Sequence, residues 1–105
     1  MDTELHQLPI GDKIRDILSQ QMPKLAKNYG VVRLGLFGSF ARNEQTPDSD
    51  LDILVEIDNP YMTLLQFIGL RHYLSDLLEI EVDLVERDTL KPALSTRILS
   101  QVELL

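Results

Sequence analysis

Three short runs of apolar and β-branched residues constrain the fold of this chain more than any other feature. They span Val31–Phe37, Asp50–Ile57 and Ile80–Val85. Each run has the length of a strand, and the last alternates polar with apolar residues, as a strand with one buried face does. The sequence therefore predicts three β-strands whose apolar sides must be covered by other elements.

Helical periodicity occupies the segments around these strands. Apolar residues recur at spacings of three and four in Ile10–Asn28 and Thr63–Leu78, and a last helix is expected over Leu90–Leu99. Pro23 predicts a kink or a restart in the first helix, whereas Pro92 is tolerated in the first turn of the last one. The order helix, strand, strand, helix, strand, helix predicts a small α/β or α+β sandwich.

Length and composition predict one domain over residues 1–105, with 44% hydrophobic and 26% charged side chains. The absence of cysteine rules out disulfides and thiolate metal sites. No apolar run is long enough to cross a membrane, and the acidic segment Met1–His6 lacks the basic and apolar regions of a signal peptide. We expect a reduced, cytoplasmic protein without a membrane partner.

The net charge of −7 is concentrated in the middle of the chain. No lysine or arginine lies between Arg42 and Arg71, although six acidic residues do: Glu44, Asp48, Asp50, Asp52, Glu56 and Asp58. A protein that binds nucleic acid through its phosphates needs a basic stripe instead, so direct DNA binding is not expected. The acidic stretch indicates either a solvated loop or a metal site.

Gly38 and Ser39 directly follow the first predicted strand. A glycine at this place lets a phosphate group approach the backbone closely, where the N–H groups of the turn can bind its oxygens. The Ser39 hydroxyl adds one more donor. A Gly-Ser pair after a strand is by itself more often an ordinary turn, so a phosphate-binding role depends on the residues around it.

Asp50 and Asp52 lie two positions apart in the second predicted strand. Their side chains would share one face while Leu51 and Ile53 point to the other, with the two aspartate Cα atoms roughly 7 Å apart. Two carboxylates at this separation can hold Mg²⁺, which prefers oxygen ligands and keeps open positions for substrate phosphates. The alternative is a solvated strand face.

Asp83 lies in the third predicted strand, between two apolar residues that should point inward. If this strand neighbours the second one, Asp83 can complete a triad of carboxylates. A third carboxylate near the acceptor can take the proton from an attacking hydroxyl or bind a metal ion. A purely structural role for Asp83 is the alternative.

Taken together, these segments resemble the signature of the DNA polymerase β-like nucleotidyltransferases. That signature is a Gly-Ser pair followed after ten residues by Asp-x-Asp, and ten residues separate Ser39 from Asp50. The segment Val82–Val85 resembles the strand that supplies the family's third acid. The similarity covers nearly the whole chain, 10–100, and is specifically to the minimal nucleotidyltransferase (MNT) proteins of prokaryotes.

The resemblance implies an α+β fold in which helices flank a small mixed sheet. It implies that Gly38 and Ser39 hold the triphosphate of ATP, and that Asp50 and Asp52 bind two Mg²⁺ ions. Asp83 would be a further metal ligand and would assist the incoming nucleophile. The implied reaction is an in-line attack on the α-phosphorus with pyrophosphate as the leaving group.

The loop after Ser39 contains Arg42 and Asn43, and the sequence gives an expectation for each. Arg42 is the nearest cation to the site in sequence and is expected either to contact phosphate or to lie on the surface. The family usually has glycine after its Ala-Arg pair, whereas this chain has Asn43. Asparagine tolerates a positive φ better than most residues, so the loop can keep its path.

The resemblance also implies a partner, because MNT proteins commonly pair with a HEPN-domain toxin that they neutralise. The first hypothesis is an antitoxin that transfers AMP from ATP to the HEPN protein. The alternatives are a catalytically silent antitoxin that acts by binding alone, and a nucleotidyltransferase for a small molecule, which would generally bring an additional domain. The helix at 63–78 or the C-terminal segment Val102–Leu105 is expected to supply the contact surface.

Overall fold

The computed structural model describes residues 10–41, 44–46, 48–87 and 102–105. Three helices and four strands lie in these ranges. In chain order they are α1 (Ile10–Tyr29), β1 (Val31–Phe37), α2 (Gly38–Ala41), β2 (Leu51–Ile57), α3 (Leu64–Leu78), β3 (Val82–Glu86) and β4 (Glu103–Leu104). The last predicted helix, at 90–99, lies outside the described residues. None of the described helices is both long enough and apolar enough to span a membrane.

The four strands form one mixed sheet in the order β3-β2-β1-β4. Strand β1 pairs antiparallel with both β2 and β4, while β2 and β3 run parallel. Parallel neighbours need a crossover connection, and α3 supplies it between β2 and β3. The predicted α+β class with a mixed sheet flanked by helices is therefore confirmed.

Helix α1 runs through Pro23 as a single element, so the predicted restart is wrong, whereas a kink at Pro23 stays a prediction. Proline removes one main-chain donor, but burial of the apolar stripe holds the helix together on both sides of it: Ile14, Leu18 and Leu25 are all buried. The helix ends at Tyr29, and the next residue, Gly30, has a φ of 75° that favours glycine and donates its N–H to the Ala26 carbonyl oxygen at 3.0 Å.

One face of the sheet forms the core together with α1 and α3. Alternation along β2 places Leu51, Ile53 and Val55 in this core, and the β1 partners of the last two, Leu36 and Leu34, lie beside them. The opposite face carries the residues between them, including Asp52. The alternation predicted from the sequence is thus confirmed for the inward side of β2.

Helix α3 is defined at both ends by local hydrogen bonds. A capping box joins Thr63 and Gln66, with the Gln66 N–H donating to Thr63 Oγ1 at 3.1 Å and the Thr63 N–H donating to Gln66 Oε1 at 2.9 Å. At the other end Glu79 has a left-handed φ of 55°, and the Ile80 N–H donates to the Ser75 carbonyl oxygen at 3.3 Å.

The helix end explains why the third strand begins later than predicted. The sequence predicted a strand from Ile80, but the observed strand starts at Val82. The residues directly after α3 are used in closing the helix, and the Val82 N–H donates to Ser75 Oγ at 3.0 Å. Alternating polarity in the sequence cannot distinguish a strand residue from a cap residue that happens to continue the alternation.

Strand β4 was not predicted, and the three-strand expectation is wrong on this point. It is only two residues long, too short to carry a periodic signal. Its partners are Gly35 and Leu36 of β1. The Arg15 side chain of α1 binds Glu103 through two hydrogen bonds, of 2.7 Å and 2.9 Å, and this hydrogen bonding raises the pKa of Arg15 above its ordinary value. The C-terminal segment is therefore part of the folded sheet.

Candidate active site

Gly38 connects β1 to the single turn α2 with a φ of 71°, a conformation that favours glycine. A Cβ atom added at this position would overlap the Asp52 carboxylate. The missing side chain thus leaves room for that carboxylate to lie against the backbone. The glycine of the predicted phosphate-binding pair is explained by this close approach.

Ser39 follows inside the turn and is half-buried. Its carbonyl oxygen accepts from the Glu44 N–H at 2.8 Å, which begins to fold the loop back towards β2. A second turn continues it: the Ser49 N–H donates to the Thr46 carbonyl oxygen at 3.0 Å and Ser49 Oγ accepts from the Thr46 N–H at 2.8 Å. These hydrogen bonds fold the acidic loop that leads into β2, the strand that carries Asp52.

Asp52 is the second residue of β2 and lies on the outer face of the sheet, because its neighbours Leu51 and Ile53 are buried in the core. Its partner on β1 is Phe37, the residue that precedes Gly38. Its partner on β3 is Asp83. Asp52 therefore lies between the Gly-Ser turn on one side and the third aspartate on the other.

Asp83 is exposed, between the buried Val82 and Leu84. Because β2 and β3 are parallel and Asp83 is in register with Asp52, the two side chains leave the same face from Cα atoms about 4.8 Å apart. The condition on which a role for Asp83 depends, that the third strand neighbours the second, is met. Two carboxylates at this spacing on one face are a pair of oxygen ligands that a divalent cation can share.

Asp50 lies one residue before β2, so the strand starts later than the predicted Asp50. The residue is exposed. Among the described residues, no three histidine, cysteine, aspartate or glutamate side chains are arranged to hold a metal ion. The structure thus brings Gly38, Asp52 and Asp83 together. Asp50 precedes Asp52 by two residues but does not form a three-carboxylate cluster with Asp52 and Asp83. Arg42 and Asn43 lie outside the described residues.

The donor set fits Mg²⁺ in its chemistry. Mg²⁺ is usually held by one or two carboxylates and completes its shell with waters and substrate phosphates, so Asp52 and Asp83 are sufficient as protein ligands for a first ion. The Gly38 backbone lies against the Asp52 carboxylate and so borders the same site. Transfer of a phosphoryl or nucleotidyl group requires oxygen ligands for metal ions close to a phosphate-binding turn.

An apolar groove on the core side of the sheet, between α3 and β3, was not predicted from the sequence. It has a volume of about 440 Å³ and runs between the start of α3 and strand β3, where Leu84 and Val85 directly follow Asp83. The expectation that the helix at 63–78 supplies a contact surface concerns the same helix, whose Leu64 and Leu65 are exposed.

The fold and this arrangement define a nucleotidyltransferase. The chain belongs to the nucleotidyltransferase domain family, whose model matches residues 12–105. Its relatives include the protein adenylyltransferase MntA of Thermococcus cleftensis, 40% identical over 91 residues that cover 87% of this chain and 91% of the relative. The sequence-based assignment to the minimal nucleotidyltransferases, and to enzymes, is confirmed.

Two solved structures show the same fold. One, described as a candidate minimal nucleotidyltransferase, superposes with a TM-score of 0.72 at 34% identity, covering 88% of this chain and 95% of that one. The other is a complex of a tri-AMPylated HEPN toxin with its MNT antitoxin from Shewanella oneidensis, with a TM-score of 0.58 at 22% identity, covering 90% of this chain and 67% of that one. The second likeness concerns the fold alone.

Proposed function

We propose that this nucleotidyltransferase is a Mg²⁺-dependent protein adenylyltransferase that transfers AMP from ATP to a HEPN-domain toxin and so acts as its antitoxin. The observation that carries the proposal is the register of Asp52 with Asp83, together with the close approach of the Asp52 carboxylate to the Gly38 backbone. Similarity to a protein adenylyltransferase named MntA supports the acceptor class, and the shared fold with an MNT antitoxin in complex with a HEPN toxin supports the partner.

Each of the predicted site residues has its own role in the proposed reaction. The Gly38-Ser39 turn receives the triphosphate, with Arg42 as a further phosphate contact. Asp50, Asp52 and Asp83 are the metal ligands. When bound, two Mg²⁺ ions neutralise negative charge on the phosphates during an in-line displacement. In this scheme 1–105 acts as one catalytic domain in the cytoplasm.

Asp83 is the group that accepts the proton in this scheme. The acceptor hydroxyl oxygen attacks the α-phosphorus of ATP, forms a new phosphodiester bond and loses its proton to the Asp83 carboxylate. The bond between the α-phosphorus and the bridging oxygen breaks, and pyrophosphate leaves with that oxygen. Asp83 is suited to this part because it is exposed on the outer face, where an acceptor can reach it.

The test is the intact mass of the protein encoded by the gene neighbouring that of this chain, which the proposal expects to be a HEPN protein, recorded after incubation with the purified chain, ATP and MgCl₂. We expect the mass to increase by whole AMP units, and no increase with the Asp50→Asn/Asp52→Asn double variant. Omitting Mg²⁺ should give the same result as the double variant. An unchanged mass with wild-type chain, ATP and Mg²⁺ would rule out transfer to this acceptor.

A second candidate function is an antitoxin that neutralises by binding alone. It is favoured by one observation: the described acidic side chains do not form a three-residue metal cluster. The double variant separates the two functions in growth assays, because a binding-only antitoxin would still protect cells from the HEPN toxin. Loss of protection together with loss of the mass increase supports transfer.

A further inference from the structure

A row of charged side chains crosses the outer face of the sheet at the end away from Asp52. Arg33 of β1 is paired with Glu56 of β2, and Arg87 directly follows the last residue of β3. Arg87 forms an ion pair with Glu56 at 3.8 Å. We call these side chains the arginine row. With two arginines and one glutamate, the row keeps a positive charge in a chain whose net charge is −7.

Arg33 faces outward because the pairing of β1 with β2 shifts its register between Val31 and Arg33. Val31 is buried in the core, and without the shift two residues at this spacing would point to the same face. The Arg33 side chain is exposed and makes no hydrogen bond or ion pair with the residues that the structure describes. Its guanidinium group therefore has donors available for an anion.

A small cleft of about 150 Å³ opens beside Arg33 and Arg87. Apolar side chains line much of the rest of it: Leu54 of β2, Leu104 of β4 and Val102 before it. Apolar walls keep water away from part of each guanidinium group, which strengthens a charge-assisted hydrogen bond made there. The cleft thus suits a side chain that carries a negative charge on an apolar stem.

The arginine row and the proposed reaction centre lie on the same face of the same strands. Asp52 and Glu56 both point outward from β2 and are four residues apart. At about 3.3 Å per residue, the row is therefore about 13 Å from the reaction centre. A protein interface commonly buries about 800 Å² on each partner, which is wide enough to cover both places. One bound acceptor can therefore contact the arginines and Asp83 at the same time.

The anion that fits the arginine row belongs to the acceptor and not to ATP. In the proposed function the triphosphate is held at Gly38 and the metal ions, at the other end of the face, and the rest of ATP is uncharged. A nucleic acid would be repelled by the net charge of −7. A protein acceptor offers single carboxylates, which pair with a guanidinium group through two parallel hydrogen bonds.

From these observations we propose that Arg33 and Arg87 bind an acidic side chain of the protein acceptor and thereby select which of its hydroxyls is held at Asp83. This inference rests on the proposed function, because it concerns the acceptor of the same reaction. It adds the charge by which the acceptor is recognised and the distance, about 13 Å, between its acidic side chain and its modified hydroxyl.

The first experiment measures transfer by the Arg33→Ala variant to the protein encoded by the neighbouring gene. We expect the KM for this acceptor to rise by about tenfold or more, because its carboxylate loses a charged partner. The kcat and the Kd of MgATP should keep their wild-type values. An unchanged KM for the acceptor would contradict the proposal. Weaker binding of MgATP would assign Arg33 to the nucleotide and would also overturn it.

Lys27→Ala is the matched control for Arg33→Ala. It removes the same charge from an exposed position on α1, which packs on the core side of the sheet. Its KM for the acceptor should equal that of the wild type. An equal rise of KM in both variants would show that the acceptor responds to the overall charge of the chain, and would overturn a specific role for Arg33.

The second experiment identifies the bound group in the absence of ATP. A carbodiimide is added to a mixture of the Arg33→Lys variant and the acceptor. It activates carboxylates, and the new amine at position 33 forms an amide bond with a carboxylate within reach, while the carbodiimide takes up the water. We expect peptide masses that join position 33 to an aspartate or glutamate of the acceptor. Links to the acceptor from native lysines alone, such as Lys27, would overturn the proposal.

The two experiments keep this inference separate from the proposed function. A link between position 33 and the acceptor, without any gain of mass from ATP, would refute transfer to this acceptor and leave the binding of an acidic side chain standing. A gain of mass that Arg33→Ala produces at the wild-type KM would refute the role of the arginines and leave transfer standing. Melting temperatures of the variants should equal that of the wild type, because the substituted side chains are exposed.

Discussion

On one face of β2, Leu51, Ile53 and Val55 are buried in the core, whereas on the other face Asp52 and Glu56 are half-exposed on either side of the buried Leu54. Both sets belong to the same seven residues and the same backbone. The inner set can be exchanged only at a cost in packing, and the outer set is held in place by that packing without contributing to it. The strand thus shows how a small fold places acidic side chains rigidly while keeping them in contact with water.

The largest effect is expected on the outer face. Asp52→Asn should lower the rate of transfer by about 10³-fold or more, because a metal-binding carboxylate is worth several kcal/mol of transition-state stabilisation. Its unfolding free energy should change by less than about 1 kcal/mol, as for most accessible positions. Quenched-flow or mass-based assays and urea titrations measure the two quantities.

Glu56→Gln is the control for this variant, since Glu56 lies on the same face of the same strand. Its recorded contact is an ion pair with Arg87 at 3.8 Å, half-exposed and weak. Transfer at the wild-type rate is expected. If Glu56→Gln lowered the rate of transfer as much as Asp52→Asn, the rate would depend on the negative charge of the whole outer face. Asp52 would then have no specific role in transfer.

The next effect belongs to the inner face. Ile53→Ala should lower the unfolding free energy by about 2–5 kcal/mol, because it removes a fully buried side chain and leaves a cavity. The fraction that remains folded should transfer AMP at nearly the wild-type rate. A stable Ile53→Ala variant with a strongly reduced rate would break the division between the two faces.

A smaller effect is expected at Gly38, where the outer face meets the turn. Gly38→Ala should cost about 1–2 kcal/mol of stability, because φ is 71° and a Cβ is disfavoured there. The rate of transfer should fall as well, since the added Cβ displaces the Asp52 carboxylate. Thermal unfolding and transfer assays on the same preparation test both parts.

The smallest effect, of opposite sign, is expected for the matched glycine on α3. An added Cβ at Gly69 meets nothing within 4 Å, and the residue has ordinary helical geometry. Gly69→Ala should therefore raise the unfolding free energy by about 0.5–1 kcal/mol and leave transfer unchanged. A destabilised Gly69→Ala variant would show that the response at Gly38 is not specific to its backbone conformation.

Elements with strong periodicity were predicted well from the sequence. The bounds of β1 were predicted correctly, and those of β2 and α3 to within one residue at the start. Tertiary packing decided the remainder. Burial of the apolar stripe carries α1 past Pro23, and the cap after α3 delays β3 to Val82. Strand β4 exists only because β1 offers it a partner.

The same distinction applies to the site. The spacing from Gly38 to Asp52 could be read in the sequence because a local loop joins them. The pairing of Asp52 with Asp83 could be stated only as a condition, since it depends on β3 choosing β2 as its parallel neighbour. The groove between α3 and β3 could not be predicted, because helical periodicity does not show which apolar residues stay uncovered.

The parallel register of β2 and β3 has a consequence for the order of events in folding. Strands β1 and β2 can pair once the short loop between them closes, but β2 and β3 are separated by the whole of α3. Contacts distant along the chain form slowly, because the entropy of loop closure is lost before packing compensates for it. We therefore expect the Asp52–Asp83 pair to assemble among the last contacts of the molecule, so that a chain still folding would lack the proposed metal site.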